Sequence, residues 1–440
     1  LSIEGGADAD LFELGVCNTS RCTSNSLSFK TAPNFEAPGD ATGDNVYEVT
    51  LGAYDGTVTV TQDVSVTVTN AVEGRVVDAP LSGASMCVDQ DEDWECDVQP
   101  DDVDCATVFP PEDNCFTEKT GTSDNQGYYS VAEGVQFPDQ ELRILSIGGT
   151  DILTNKELPS LALIAEIPTD ASQAIAVTPL STVVSIATDP AATLVALGFP
   201  ETVTPDQITS IDPWALATDS IELSGEFASS AALAESVGIP TTELETVADN
   251  VVTTSVQIAN LVQTADALVT DTTTSGVQDA AERAAMISST VTQELVETID
   301  AAIASAGSAA AASVDLGDAI VTNEVLKETA EESATLIVAE IEAKQTAGTL
   351  DLSDTNDTTV AAILQIKETQ ELITSTGLDS TQTANIAAIA TTAAETNALI
   401  KAQVATTGVS VLTTASSAED IAGIVSNTST LAEQLVTGEI

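Results

Sequence analysis

A chain of 440 residues is too long for one ordinary core, so two to four domains are expected. With 69 Asp and Glu against 11 Lys and Arg, the net charge of −58 repels phosphate backbones and anionic lipid surfaces, which sets nucleic-acid and membrane-surface binding aside. Histidine is absent, which removes Ser-His-Asp and Cys-His nucleophile systems, His-ligated zinc and imidazole acid–base chemistry together, while 43% hydrophobic residues still suffice to bury cores.

The chain opens Leu1-Ser2-Ile3, without an initiator Met or a basic leader, and reads as a piece of something longer. No apolar run approaches the length of a bilayer span, so no membrane insertion is expected. All six cysteines fall between Cys17 and Cys115, spaced as Cys17/Cys22, Cys87/Cys96 and Cys105/Cys115. Short pairs in loops suit disulfides in an oxidising compartment. The alternative, a Cys-only metal site, lacks any CxxC and sits in acidic surroundings that disfavour thiolates.

Residues 1 to about 150 hold most of the aromatics and strand-like runs. In Val46–Tyr54 and again in Thr57–Thr69, β-branched and polar residues alternate at period two, which predicts a hairpin with one buried face turning at Tyr54-Asp55-Gly56. A flat TxT ladder of the ice-binding kind is the alternative, but no iterated repeat follows. Asp8, Asp10, Glu36, Asp40 and Asp44 fall in loops around this hairpin, either as a cation site or as ordinary turn residues.

Between Asp89 and Asp104 nine of sixteen residues are acidic. Asp89, Asp91, Asp93, Glu95 and Asp97 alternate with other residues, a spacing by which a looping backbone turns hard oxygen ligands toward one Ca²⁺, with Asp101 or Asp102 closing the shell. A divalent ion would relieve the repulsion among them. The alternative is a bare acidic loop stapled by Cys87 and Cys96. A glycosidase carboxylate pair is not singled out, and two Trp and four Tyr offer few sugar-stacking surfaces. Asn18-Thr19-Ser20 and Asn427-Thr428-Ser429 fit a glycosylation sequon.

After Pro240 the remaining 200 residues contain no proline, cysteine or aromatic residue. Leu244, Val247, Val251, Thr254, Ile258, Leu261, Ala265 and Leu268 follow steps of three and four, as a helix seam requires. Ile386, Ile389, Ala393, Thr396, Ile400 and Gln403 do the same, as do Ile421, Ile424, Thr428, Leu431 and Leu435. Breakers at Thr272–Gly276, Gly348, Gly377 and Gly408 divide the region into about six helices of roughly 15 to 30 residues. The small seam residues predict a thin core. An intramolecular bundle is favoured over a coiled-coil oligomer, because paired Glu and Lys at flanking positions are missing.

Three ordered segments, Gly5–Leu14, Leu27–Val49 and Ala53–Asn70, resemble a bacterial cadherin-like repeat. The resemblance implies a Greek-key β-sandwich whose first strand lies upstream of Leu1, calcium between repeats with Glu36 as a ligand, and extracellular adhesion. Gly74–Asp97, Thr122–Val131 and Arg143–Asp151 are similar to the small sandwich of carboxypeptidase-regulatory-like and Sdr-type B repeats, in which a calcium-binding acidic loop follows the first strands. Val177–Ser185, Leu197–Pro200 and Ser210–Ala217 are similar to the helical segment that trails such sandwiches in large secreted bacterial surface proteins.

The expected architecture is therefore multidomain. Two N-terminal β-sandwiches, cadherin-like or Ig-like, occupy 1–72 and 73–150; a linker with short helices covers 151–240; an Ala/Thr-rich α-helical bundle or stalk covers 241–440. The expected function is non-enzymatic: a secreted or cell-surface protein in calcium-dependent adhesion, with other surface proteins as partners. The alternative is a structural subunit of an extracellular filament or surface layer, joined to like subunits through the open edge of the first sandwich.

Overall fold

The computed structural model describes residues 1–14, 27–31, 33, 38–54, 56–68, 71–77, 80–89, 92, 94, 96, 120–132, 142–152, 154–159, 161–167, 174–214, 221–223, 226–228, 238–269, 280–347 and 380–407. A β-rich N-terminal region is followed by a helical C-terminal part, and the chain divides into two compact units, Leu1–Ala71 and Val72–Ile440.

In the first unit the expected hairpin forms. Strands β4 (Val46–Tyr54) and β5 (Thr59–Thr67) pair antiparallel from Val46↔Thr67 to Tyr54↔Thr59. Strand β1 (Ser2–Gly5) joins the other side of β4, giving the order β1-β4-β5, while β2 (Phe12–Leu14) and β3 (Leu27–Phe29) make a separate antiparallel ribbon. Phe12, Tyr47 and Val49 are buried, with Phe29 4.4 Å from the Phe12 ring and edge-on to Tyr47 at 5.0 Å. Alternation put one whole face of β5 inside, but only part of it is covered. Val64 and Val66 are half-buried against this core, whereas Val60, on the same face nearer the turn, is 68% exposed.

The second unit starts with β6 (Ala71–Val76), β7 (Leu81–Ser82), β8 (Ser85–Asp89), β9 (Thr120–Thr122), β10 (Tyr128–Ala132), β11 (Arg143–Ile147) and β12 (Thr150–Asp151). The strands do not stop at residue 150: β13 (Ala162–Glu166) pairs antiparallel with β11, and β14 (Ile175–Val177) pairs parallel with β6. Two sheets result, in the orders β10-β6-β14 and β13-β11-β8-β9, plus a β12-β7 ribbon. Three short helices follow, α1 (Pro179–Ile186), α2 (Pro190–Ala196) and α3 (Pro205–Thr209), then a ribbon of β15 (Ile221–Leu223) and β16 (Glu226–Ala228). Residues 151–240, read from sequence as a linker with short helices, thus supply both strands and helices. One buried apolar cluster runs from Val72 in β6 through Leu180 and Leu194 to Ala393 near the chain's end.

The register of α1 follows from its first residues. Thr178 and Ser181 form a capping box ahead of the seven buried residues that follow, and Pro179 occupies the first helical position, where no N–H is needed. The hydroxyls of this helix then close the outer edge of β13. Thr182 Oγ1 accepts from the Ile164 N–H at 3.0 Å and Ser185 Oγ accepts from the Glu166 N–H at 3.1 Å. On the same edge the Ala162 N–H donates to Ser288 Oγ at 2.8 Å. Alternate amides of a buried edge strand are thereby satisfied without a neighbouring strand.

Four long helices follow among the described residues: α4 (Thr241–Val269), α5 (Ala280–Ala306), α6 (Ala319–Ala347) and α7 (Ser380–Thr407). The predicted breakers Thr272–Gly276, Gly348, Gly377 and Gly408 lie outside the described residues. One breaker was missed: α5 ends at Gly307, whose φ of +81° is the left-handed conformation that terminates helices. The seam of α4 is buried at every described position from Leu244 to Ala265, and its flanks Ala248, Val252, Ala259 and Asn260 are buried as well. A helix enclosed on nearly all sides is the central one, and α1, α5, α6 and α7 all pack on it. The predicted stripe Ile421–Leu435 lies outside the described residues.

Small seam residues leave room for buried amides. Asn260 donates to Asn397 Oδ1 at 2.8 Å, and Asn397 donates to the Leu316 carbonyl at 2.8 Å. Gln257 donates to the Asn397 carbonyl at 2.9 Å, so α4, α7 and the segment before α6 are held in one axial register.

Where α5 meets α6, Glu294 sits half-buried. Burial, then Glu297, Glu328 and Glu332, push its carboxyl from 4.5 up to about 7, against the opposing charge of Lys327. The folded form therefore binds a proton that the unfolded chain has released between pH of about 4.5 and 7. The stability this contributes is full below that window and lost as pH rises through about 7. Replacing Glu294 by Gln is expected to leave stability near pH 5 unchanged and to raise it by about 1 kcal/mol at pH 8, after allowance for solvent screening. Urea melts of both proteins at the two pH values check this, and equal gains at both would exclude the titration.

Candidate functional site

The acidic loop leaves the sheet at the end of β8, an interior strand. Cys87 is fully buried and bonds Cys96, with Cα atoms 5.7 Å apart, so the chain returns to its own strand nine residues later. Trp94 packs beside that bond against Leu145, Ala162, Ile164, Ala284 and Ala285, anchoring the loop from within. The backbone turns sharply here: φ is +65° at Glu92 and +69° at Trp94. Trp94 falls at the sixth position counted from Asp89, where a calcium loop of the EF-hand type uses glycine for the same left-handed bend.

Of the predicted ligands only Asp89 is described. It is buried, and its Oδ1 accepts from the Glu92 N–H at 2.8 Å, a turn-forming contact. Glu92, not among the predicted ligands, pairs with Arg143 at 3.1 Å; Arg143 stands directly across from Asp89 in the ladder. Asp91, Asp93, Glu95, Asp97, Asp101 and Asp102 lie outside the described residues, as do Glu36, Cys17, Cys22, Cys105 and Cys115. Among the described residues no group of three or more acidic or cysteine side chains is placed to hold a metal ion. Of the loop's carboxylates, the two described ones are engaged within the protein, Asp89 with a backbone amide and Glu92 with Arg143.

In the first unit the carboxylates of Asp8, Asp40 and Asp44 accept backbone N–H groups. Asp8 accepts from the Ala41 and Glu48 N–H groups at 2.6 and 2.8 Å, tying the first loop to β4. Asp40 accepts from the N–H groups of Thr42, Gly43, Asp44 and Asn45 and from the Thr42 hydroxyl. Burial works to raise its pKa, but the Asp44 amide, the Thr42 hydroxyl and the Gly43 and Asn45 amides outweigh it and hold the carboxyl near 2. Asp44 accepts from Val46 N–H at 3.1 Å, and Asp10 takes part through its carbonyl, which receives Lys30 Nζ at 2.6 Å.

A buried charged group that the sequence pattern does not single out is Arg75 of β6. Its side chain is 3% exposed, donates Nε to the Gln126 carbonyl at 2.9 Å and pairs with Asp212 at 3.2 Å. The guanidinium lies 3.8 Å over the Tyr128 ring and 5.9 Å from that of Trp214. The available signal was one arginine just before Val76 and Val77 in a chain with only 11 basic residues. No family model, curated protein or solved structure matches the chain.

Proposed function

We propose that the chain belongs to a non-enzymatic extracellular protein of the cell surface, working in calcium-dependent adhesion in the cadherin-like manner, with other surface proteins as partners. The observation that carries this reading is the Cys87–Cys96 disulfide at the mouth of the acidic loop. A bond of this kind persists in oxidising compartments, and the segment it closes is rich in carboxylates whose charges a divalent ion would offset. In this reading the two β-rich parts are sandwiches, and Asp89, Asp91, Asp93, Glu95, Asp97 and Asp101 supply oxygen ligands to calcium, with Glu36 a further ligand in the first part.

Calcium held a hundredfold above its dissociation constant adds about 2.7 kcal/mol to the folded state. Calorimetry of the full chain is therefore expected to show a melting point higher by a few degrees in CaCl₂ than in EGTA, and joint replacement of Asp91 and Asp93 by Asn should erase the difference. Identical melts in the two buffers would remove the calcium half. Beads coated with the chain should clump in calcium and disperse in EGTA if adhesion is its work.

A second reading, a structural subunit of an extracellular filament or surface layer, is supported by β5, an edge strand with no further strand beside it among the described residues and with largely exposed side chains. Ordered fibres or lattices in electron micrographs of the purified chain support it.

A further inference from the structure

Two edge strands of this protein are treated in opposite ways. The amides of β13 are closed by Ser288, Thr182 and Ser185. The edge of β5 has no such cover among the described residues: it carries no lysine, arginine or proline, and its pairing with β4 runs through nine residues without a bulge. Edges are ordinarily blunted by one of those devices, because an open row of N–H and C=O groups is a template for another strand. Near the turn the sheet is exposed on both faces: Val60, on the core side, is 68% exposed and Tyr54, on the opposite side, 66%.

We propose that the strand which covers this edge is β5 of a second copy of the chain, paired antiparallel about a two-fold axis through Val64. The inference deepens the assembly reading above by naming its partner and register. The sequence around Val64 is close to a palindrome, and the two-fold register places Val60 opposite Val68, Thr61 opposite Thr67 and Gln62 opposite Val66 of the other copy. Each of these pairs joins positions of equal parity, so the core-side faces of both sheets lie on one side, and the exposed Val60 gains an apolar neighbour. Charge permits this register and disfavours its neighbour. Asp63, the one charged residue of β5, faces Ser65, whereas centring the axis on residue 63 would set Asp63 against itself. Across the diagonal the two Asp63 groups stand about 7 Å apart, and each already accepts the Thr50 hydroxyl at 2.7 Å.

The joined edge is short. Nine residues at about 3.4 Å each, in a sheet about 10 Å thick, bury on the order of 600 Å² in total, below the range of stable dimers. The dimer is accordingly weak and concentration-dependent. Because each copy carries −58 charges, it should strengthen as salt is added, the reverse of a dimer held by ion pairs.

Sedimentation velocity of the full chain over a concentration series, at low and high NaCl, tests the pairing. Thr61 and Thr67 are exposed and face each other's counterparts in the two-fold register, so their charges can be set independently of the core. Joint Thr61→Lys and Thr67→Lys substitution opposes like charges twice and is expected to weaken association at least tenfold, although it lowers the overall repulsion between copies. Thr61→Lys with Thr67→Asp opposes unlike charges twice and is expected to restore or exceed the original association. Circular dichroism of each variant establishes that it is folded. An unaltered chain that stays monomeric at every concentration and salt overturns both this pairing and the assembly reading. Dimers or fibres that survive the double lysine variant, or a Lys/Asp variant no better than the Lys/Lys one, overturn the pairing alone and leave assembly to another surface.

Discussion

Replacing Gly74 by alanine is expected to destabilise the second unit by about 3 kcal/mol or more, the upper end of what overpacking costs. Gly74 faces Ile175 in the parallel pairing of β6 with β14, and a Cβ at this position would land on the backbone N, C and O of Ile175. Those atoms belong to a neighbouring main chain, so no side-chain rotation relieves the overlap and the two strands must part. Parting them also disturbs the Ile175 carbonyl, which accepts the Tyr129 hydroxyl at 3.0 Å. Burial, reinforced by Glu73, pushes the Tyr129 phenol well above its ordinary pKa, so it stays protonated and its donor would be stranded inside. Val177 leads straight into the Thr178 cap of α1, which carries the damage into the helical layer. Gly83→Ala is the control: its φ of +73° imposes a conformational penalty of about 1 kcal/mol, but nothing stands within 4 Å of the added Cβ. Denaturant melts followed by circular dichroism should show a midpoint drop for Gly74→Ala several times that for Gly83→Ala. Equal drops would mean that the close approach is relieved by a small backbone shift.

That glycine illustrates what could be read from the chain and what could not. Local periodicity was legible: the period-two alternation became the hairpin of Val46–Tyr54 with Thr59–Thr67, and the steps of three and four from Leu244 to Ala265 became the buried seam of α4, because periodicity acts within a few residues. Contacts between distant segments were not. Leu161–Ala165 is a continuous apolar run that suits a buried strand or a short helix equally, and only its partners β11 and α1 decide. The fall in aromatic content near residue 150 therefore looked like a domain limit, while β13 and β14 carry the same core past it. At the acidic loop, spacing indicated the Cys87–Cys96 staple, because loop closure is local, yet it gave no hint that Trp94 would be drawn inward or that Asp89 would engage the Glu92 amide. Reading carboxylates as ligands overlooks the nearer competitor, the backbone N–H, which captured Asp8, Asp40 and Asp44 in the first unit.

Arg75 shows the same limit from the side of charge, and its removal is the other large expected effect. Arg75→Ala should cost about 3–5 kcal/mol, because Asp212, 14% exposed, would keep its charge without the guanidinium, and the Gln126 carbonyl would lose a donor. Part of that loss is packing, since the guanidinium also covers Tyr128. Arg75→Met separates the two contributions: it restores most of the buried volume and none of the charge, so it should recover only the packing share. Adding Asp212→Leu to Arg75→Met removes the stranded carboxylate, and the double variant is expected to approach the unaltered protein, because a buried ion pair contributes little beyond offsetting its own desolvation. Arg75→Met, Asp212→Leu and the double variant form a cycle whose coupling, about 1–3 kcal/mol, is read from urea midpoints. A double variant as unstable as the sum of the singles would show that the pair is uncoupled, and that Arg75 acts through Tyr128 and Gln126 alone. A coupled result makes this arginine the rivet that fixes β6, the turn before β10 and the segment after α3 in one arrangement.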